Sequence, residues 1–71
     1  MNESEDAAWL RQQILENNEF VIRYDGNWIA VYQREVLGSE ADIGYLIKRF
    51  SGMMKVGKSP LFFFCYSGAF Q

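Results

Sequence analysis

Tyr24-Asp25-Gly26-Asn27-Trp28-Ile29-Ala30-Val31-Tyr32 is a turn signal followed by a strand that is apolar on both sides. Alternation along a strand puts Trp28, Ala30 and Tyr32 on one face, and Ile29 and Val31 on the other. A strand with two apolar faces belongs in the middle of a sheet. A second such run, Leu61-Phe62-Phe63-Phe64-Cys65-Tyr66, follows Pro60 and reads as another inner strand. A small sheet built on these two runs carries more apolar surface than one helix covers, and the surplus points to a partner.

Size sharpens that expectation. The chain has 71 residues, which is one domain at most. A chain this short buries only about 60% of the surface that its unfolded form exposes. Small domains therefore lean on disulfides, metals or self-association. Cys65 is the single cysteine and there is no histidine, so neither an internal disulfide nor an ordinary zinc site is available. Association is what remains. Six Phe, four Tyr and two Trp argue against a disordered chain. No apolar run approaches the roughly 20 residues that span a bilayer. Met1–Asp6 is acidic and polar, unlike a signal peptide. With one lone cysteine, these features predict a cytoplasmic protein that does not enter a membrane.

The net charge of −2 is unevenly spread. All nine acids lie in residues 1–42 against Arg11, Arg23 and Arg34, a balance of −6. Residues 43–71 hold Lys48, Arg49, Lys55 and Lys58 and no acid, a balance of +4. The basic end suits an anionic partner. Contact between the acidic and basic parts, within the fold or between copies, accounts for it equally and is preferred. Four cations are few for a nucleic-acid footprint.

Residues 4–17 read as a helix, within an N-terminal segment 1–18. Ser4 is the expected cap, Glu5 and Asp6 suit the positive end of the dipole, and Ala7, Leu10, Ile14 and Leu15 form the apolar stripe. Trp9 falls nearly opposite Ile14, on the polar side. Phe20–Arg23 reads as a strand, Asp25-Gly26 as a tight turn and Trp28–Tyr32 as the central strand. Gln33-Arg34 is a turn, and Glu35–Leu37 a short return strand that Gly38 is expected to break. Ser39 and Asp42 match a capping box. The helix that follows carries Ile43, Leu46, Ile47 and Phe50 on one face. Residues 51–59 read as a loop before the last strand.

That loop contains Gly52-Met53-Met54-Lys55-Val56-Gly57-Lys58-Ser59, which fits the phosphate-cradling pattern G-x-x-x-x-G-K-[ST]. The chemistry needs a strand before the loop and a helix after it, so that a helix amino end faces the phosphate. Here the order is reversed, and no nucleotide is expected. Asp25, Glu35 and Asp42 form no convincing acidic site, since turn and helix-start roles account for Asp25 and Asp42. Cys65 lacks a histidine to activate it and reads as a small buried hydrophobe. No catalytic residue, cofactor or metal ligand is expected.

At Tyr24-x-Gly26-x-Trp28-Ile29-Ala30-Val31 the chain resembles a family of small prokaryotic proteins of unknown function. That pattern runs Tyr-x-Gly-(Lys or similar)-Trp-(Val/Ile)-Ala-Val, then a return strand, a helix start and a last apolar strand. Val36-Leu37-Gly38-Ser39, the helix from Asp42, and Pro60-Leu61 are similar to it. The likeness covers about residues 20–66. Asn27 departs from it where Lys is usual, and the last strand is unusually rich in Phe. The resemblance implies a compact β-meander with a helix and a last strand, and brings no activity.

The expected fold is α+β. A three- or four-stranded, mainly antiparallel sheet forms a ββ(β)αβ core over residues 20–66, with an additional N-terminal helix, all in one domain of residues 1–71. The expected role is non-enzymatic: a protein–protein interaction module that self-associates or serves as an accessory subunit. The candidate contacts are Trp9, an exposed aromatic of the kind enriched at interfaces, and Trp28, Tyr32, Phe62 and Phe64, on the sheet face that the Ile43/Leu46/Ile47/Phe50 helix leaves open. Register decides which face that is. The alternatives are an antitoxin-like inhibitor, on fold analogy alone, and nucleic-acid binding through Lys48, Arg49, Lys55 and Lys58.

Overall fold

The computed structural model describes residues 4–70, with side chains described as far as Gly68. Met1–Glu3 and Gln71, the ends of the domain expected over 1–71, lie outside the described residues. Helix α1 spans Glu5–Glu16. It starts where Ser4 Oγ accepts the Ala7 N–H at 3.1 Å. Asn17 then does two jobs. Its N–H donates to the Gln13 carbonyl at 2.8 Å, closing α1, and its Oδ1 accepts the Phe20 N–H at 3.2 Å, opening α2 over Asn18–Arg23.

A helix therefore occupies Phe20–Arg23, where a strand was expected. The β-branched pair Val21-Ile22 favours a strand only weakly. The Asn17 cap and the Phe20/Tyr24 spacing decide otherwise. In a helix, residues four apart meet, and these two rings lie 5.2 Å apart, edge to face. Val21 is buried, and Ile22 is left 59% exposed. The Asp25-Gly26 turn consequently joins a helix to a strand, closed by Asn27 N–H to the Tyr24 carbonyl at 3.0 Å.

Among the described residues the sheet has three strands: β1 (Trp28–Val31), β2 (Val36–Glu40) and β3 (Leu61–Phe64). Their order is β2-β1-β3, both outer strands antiparallel to the central β1. With helices before and between the strands, the α+β class stands as expected. The β1–β2 hairpin turns at Gln33-Arg34, both at positive φ (52° and 59°), the geometry of a type I′ turn. Neither residue favours it. The Asp6 carboxylate at the start of α1 compensates: its two oxygens accept the Gln33 N–H at 3.1 Å and the Arg34 N–H at 2.7 Å.

Gly38 does not break β2 but sits inside it, opposite Ala30. A side chain there would meet the Arg49 guanidinium at 3.1 Å, so glycine makes room for that group. Ser39 is also within β2, opposite Ile29, and the Ser39–Asp42 capping box does not form. Asp42 alone caps α3 (Ile43–Arg49), its Oδ1 accepting the Gly44 N–H at 2.6 Å. The expected loop over 51–59 begins as helix α4, Ser51–Lys55. Because β2 and β3 point the same way with β1 between them, α3 and α4 form a split βαβ crossover.

Both sheet faces carry helices. On one, Leu10, Ile29, Val31 and Cys65 form a buried core, with Trp9, Ile14, Phe20, Val36, Leu61 and Phe63 packed around it from α1, α2 and the outer strands. On the other, α3 packs over β2 and β1, and Ala30 and Leu46 have no exposed surface. This corrects the sequence expectation. The α3 helix lies on the Trp28/Ala30/Phe62/Phe64 face and does not leave it open, while α1 and α2 cover the opposite face. Ile47, assigned to the buried side of α3, is 41% exposed.

Candidate interaction surface

The helical cover is uneven. α3 sits over β2 and β1, and apolar surface emerges toward β3. Trp28 and Phe64 are directly opposed across the β1–β3 ladder, with ring centroids 5.4 Å apart and tilted by 55°. Phe62 lies two residues along the same face. Trp28 and Phe62 are half-buried, but Phe64 is 41% exposed. Just beyond it Tyr66 is 60% exposed. Tyr66 was not among the candidates read from the sequence, although its even spacing from Phe62 and Phe64 signals the shared direction.

The structure thus brings three of the five aromatic candidates together and separates two. Tyr32 lies past the end of β1, its N–H donating to the Glu35 carbonyl at 2.9 Å in the hairpin turn. Trp9 is not on an open polar face. It is half-buried on the other side of the sheet, edge to face with Phe20 at 5.8 Å. Helix α2, unexpected from the sequence, supplies the wall that Trp9 packs against.

The backbone of β3 adds a second feature. Cys65 N–H donates to the Asn27 carbonyl at 2.9 Å, continuing the β1–β3 register. Antiparallel ladders alternate, so the odd-numbered residues of β3 direct their N–H and C=O at β1. Those of Phe62 and Phe64 point outward, off the edge of the three-stranded sheet. On the α1 side of this edge lies an apolar groove of about 330 Å³, lined by Ala7, Leu10, Arg11 and Ile14 of α1 and by Leu61 and Phe63 of β3.

The basic candidates Lys48, Arg49, Lys55 and Lys58 are all exposed and do not converge with these aromatics. Arg49 is engaged within the fold. Its guanidinium donates to Glu40 Oε2 at 2.9 Å and stands 5.4 Å from the centre of the Phe50 ring. Lys48 borders a shallow cleft with Asp42 and Tyr45.

The phosphate-loop-like string has a different explanation here. Its first four residues belong to α4, and its second glycine ends that helix. Gly57, at φ +82°, donates its N–H to the Met54 carbonyl at 3.1 Å, and Lys58 N–H donates to the Met53 carbonyl at 2.9 Å. This is a Schellman ending, which needs glycine for its left-handed residue. A helix carboxyl end stands where a phosphate site requires an amino end.

The acids serve separately. Asp25 Oδ1 accepts the Ser67 N–H at 2.7 Å, tying down the chain after β3, and Asp42 caps α3. Among the described residues no group of three His, Cys, Asp or Glu side chains is placed to hold a metal ion, and no helix is long and apolar enough to cross a membrane. The Cys65 thiol is buried, and its pKa is pushed up to about 11, first by burial and then by the nearby Asp25 charge. A thiol that stays protonated is a poor nucleophile.

No family model matches this chain, and no curated protein or solved structure matches it.

Proposed function

We propose that this chain is a non-enzymatic protein–protein interaction module, one that self-associates or docks as an accessory subunit through the β3 side of its sheet. The observation that carries this reading is β3 itself, an edge strand without a charged side chain whose carboxyl end carries the exposed rings of Phe64 and Tyr66. Folded proteins normally blunt such an edge by shortness, charge, proline, a bulge or a covering element; β3 is only four residues long and follows Pro60, but it carries no charge and pairs with β1 without a bulge. A strand left apolar offers backbone and aromatic surface to another chain. The Glu40–Arg49 pair supports the reading that the two oppositely charged parts of the sequence meet within the fold. The single buried thiol suits a reducing compartment such as the cytoplasm.

Light scattering on the purified chain from micromolar to millimolar concentration, at low and high salt, tests this. The expected result is a mass that rises with concentration and changes little with salt, because the contact is apolar. A monomer at every concentration would remove self-association and leave only docking onto another protein. Binding to an oligonucleotide that weakens steeply with salt would favour the basic segment of residues 48–58 instead.

A further inference from the structure

We propose that β3 pairs antiparallel with β3 of a second copy of this chain, in a register centred on Phe63. This rests on the association reading above and specifies its geometry. The outward N–H and C=O groups belong to Phe62 and Phe64, placed symmetrically about Phe63. A two-fold axis through Phe63 sets Phe62 opposite Phe64 of the second copy, and Phe64 opposite its Phe62. Each pair then exchanges both N–H···O bonds across the joint. Pro60 falls at the next outward position and has no N–H to give, so the ladder ends there.

Side chains follow the same register. Phe63 faces α1, so Phe63 of the second copy arrives beside it, at the groove walled by Ala7, Leu10, Arg11, Ile14 and Leu61. That groove, at about 330 Å³, is roughly twice the 150 Å³ of a cavity known to accept benzene. On the opposite face Phe62 and Phe64 of each copy lie side by side, extending the Trp28–Phe64 contact.

A second copy fits this edge because Leu61–Tyr66 carries no charge, so the two-fold axis opposes no like charges along the ladder. The area sets the strength. The exposed parts of Phe64 and Tyr66 amount to about 200 Å² per copy, taking about 200 Å² for a whole aromatic side chain. With the groove walls added, the joint stays at the small end of specific interfaces, below about 800 Å² per partner. A joint this small makes a reversible dimer whose population depends on concentration.

The test combines sedimentation of wild type, Phe64→Lys and Val56→Lys with amide hydrogen exchange by NMR at low and high protein concentration. The expected result is a wild-type dimer in which the Phe62 and Phe64 amides exchange more slowly as concentration rises. Phe64→Lys should weaken dimerisation at least about tenfold, by placing charge on the joint. Val56→Lys, which changes an exposed apolar residue outside β3, should leave it unchanged. Circular dichroism of each variant checks that the fold persists. A wild-type dimer whose Phe62 and Phe64 amides exchange at the same rate at every concentration would overturn the β3 joint while leaving self-association through another surface. A wild type that stays monomeric up to millimolar concentration would overturn both.

Discussion

β2 and β3 flank the same central strand, but the chain attaches and finishes them differently. β2 follows β1 through a two-residue turn held by Asp6, skips register at Leu37 as a bulge does, and ends at Glu40, where Arg49 is paired. Bulge and charge together make its outer edge a poor template for another strand. β3 arrives only after the α3–α4 crossover, pairs with β1 over four residues in unbroken register, and carries no charge. Its anchor is at the far end, where Asp25 holds the Ser67 N–H. The comparison teaches that helical cover on both faces does not close a small sheet. The edges must be closed as well, and among the described residues only the β2 edge is.

The sharpest way to break the comparison is to remove what both outer strands share. Ile29 in β1 is fully buried and lies between Ser39 and Phe63. Ile29→Ala should cost about 2–5 kcal/mol in chemical denaturation, and the slow amides of β2 and β3 should lose protection together. Loss confined to one outer strand would mean that the two are not one cooperative unit.

A smaller effect should separate them. Asp6→Ala removes both acceptors from the strained Gln33-Arg34 turn and should destabilise by about 1–2 kcal/mol, felt at β2 before β3. Adding Arg34→Gly should recover part of that loss, because glycine adopts positive φ without strain. Failure of the second substitution to help would show that Asp6 acts on something other than the turn.

The smallest effect at neutral pH belongs to the β3 side and is confined to alkaline solution. Burial and Asp25 raise the Cys65 pKa from 9.0 to about 11, so the folded chain holds this proton when the unfolded chain has released it. Stability from this source is complete below pH 9 and declines as pH rises through about 11. Cys65→Ala should reduce the slope of melting temperature against pH in that window, whatever it does to the baseline. An unchanged slope would locate the alkaline loss elsewhere.

Much of this fold was legible because its signals are local. Ser4 with Glu5 and Asp6 marks α1, the Asp42 start and the Leu46 face mark α3, and two-sided apolarity marks β1 as central. Helix α2 runs against the strand preference of Val21-Ile22, and the Phe20/Tyr24 spacing, equally local, is the signal that marks it. The position of Trp9 is not legible for a different reason. Its burial depends on Phe20 folding back from α2, and no pattern within α1 carries that information. The cluster of Trp28, Phe62 and Phe64 was legible from strand alternation, whereas the exposure gradient across it was not.

Taken alone, the amino-acid order settled the class of fold, the central strand, the start of α1 and the absence of an internal disulfide, since each depends on residues a few positions apart or on composition. Tertiary structure alone decided which helix lies on which face, why Gly38 sits inside a strand, and which edge the described residues leave bare. Those outcomes rest on contacts between distant residues, such as Asp6 with Gln33 and Arg34 and Asp25 with Ser67, 27 to 42 positions apart. Local periodicity cannot encode a partner that far along the chain, because the register that joins them exists only once the sheet has formed.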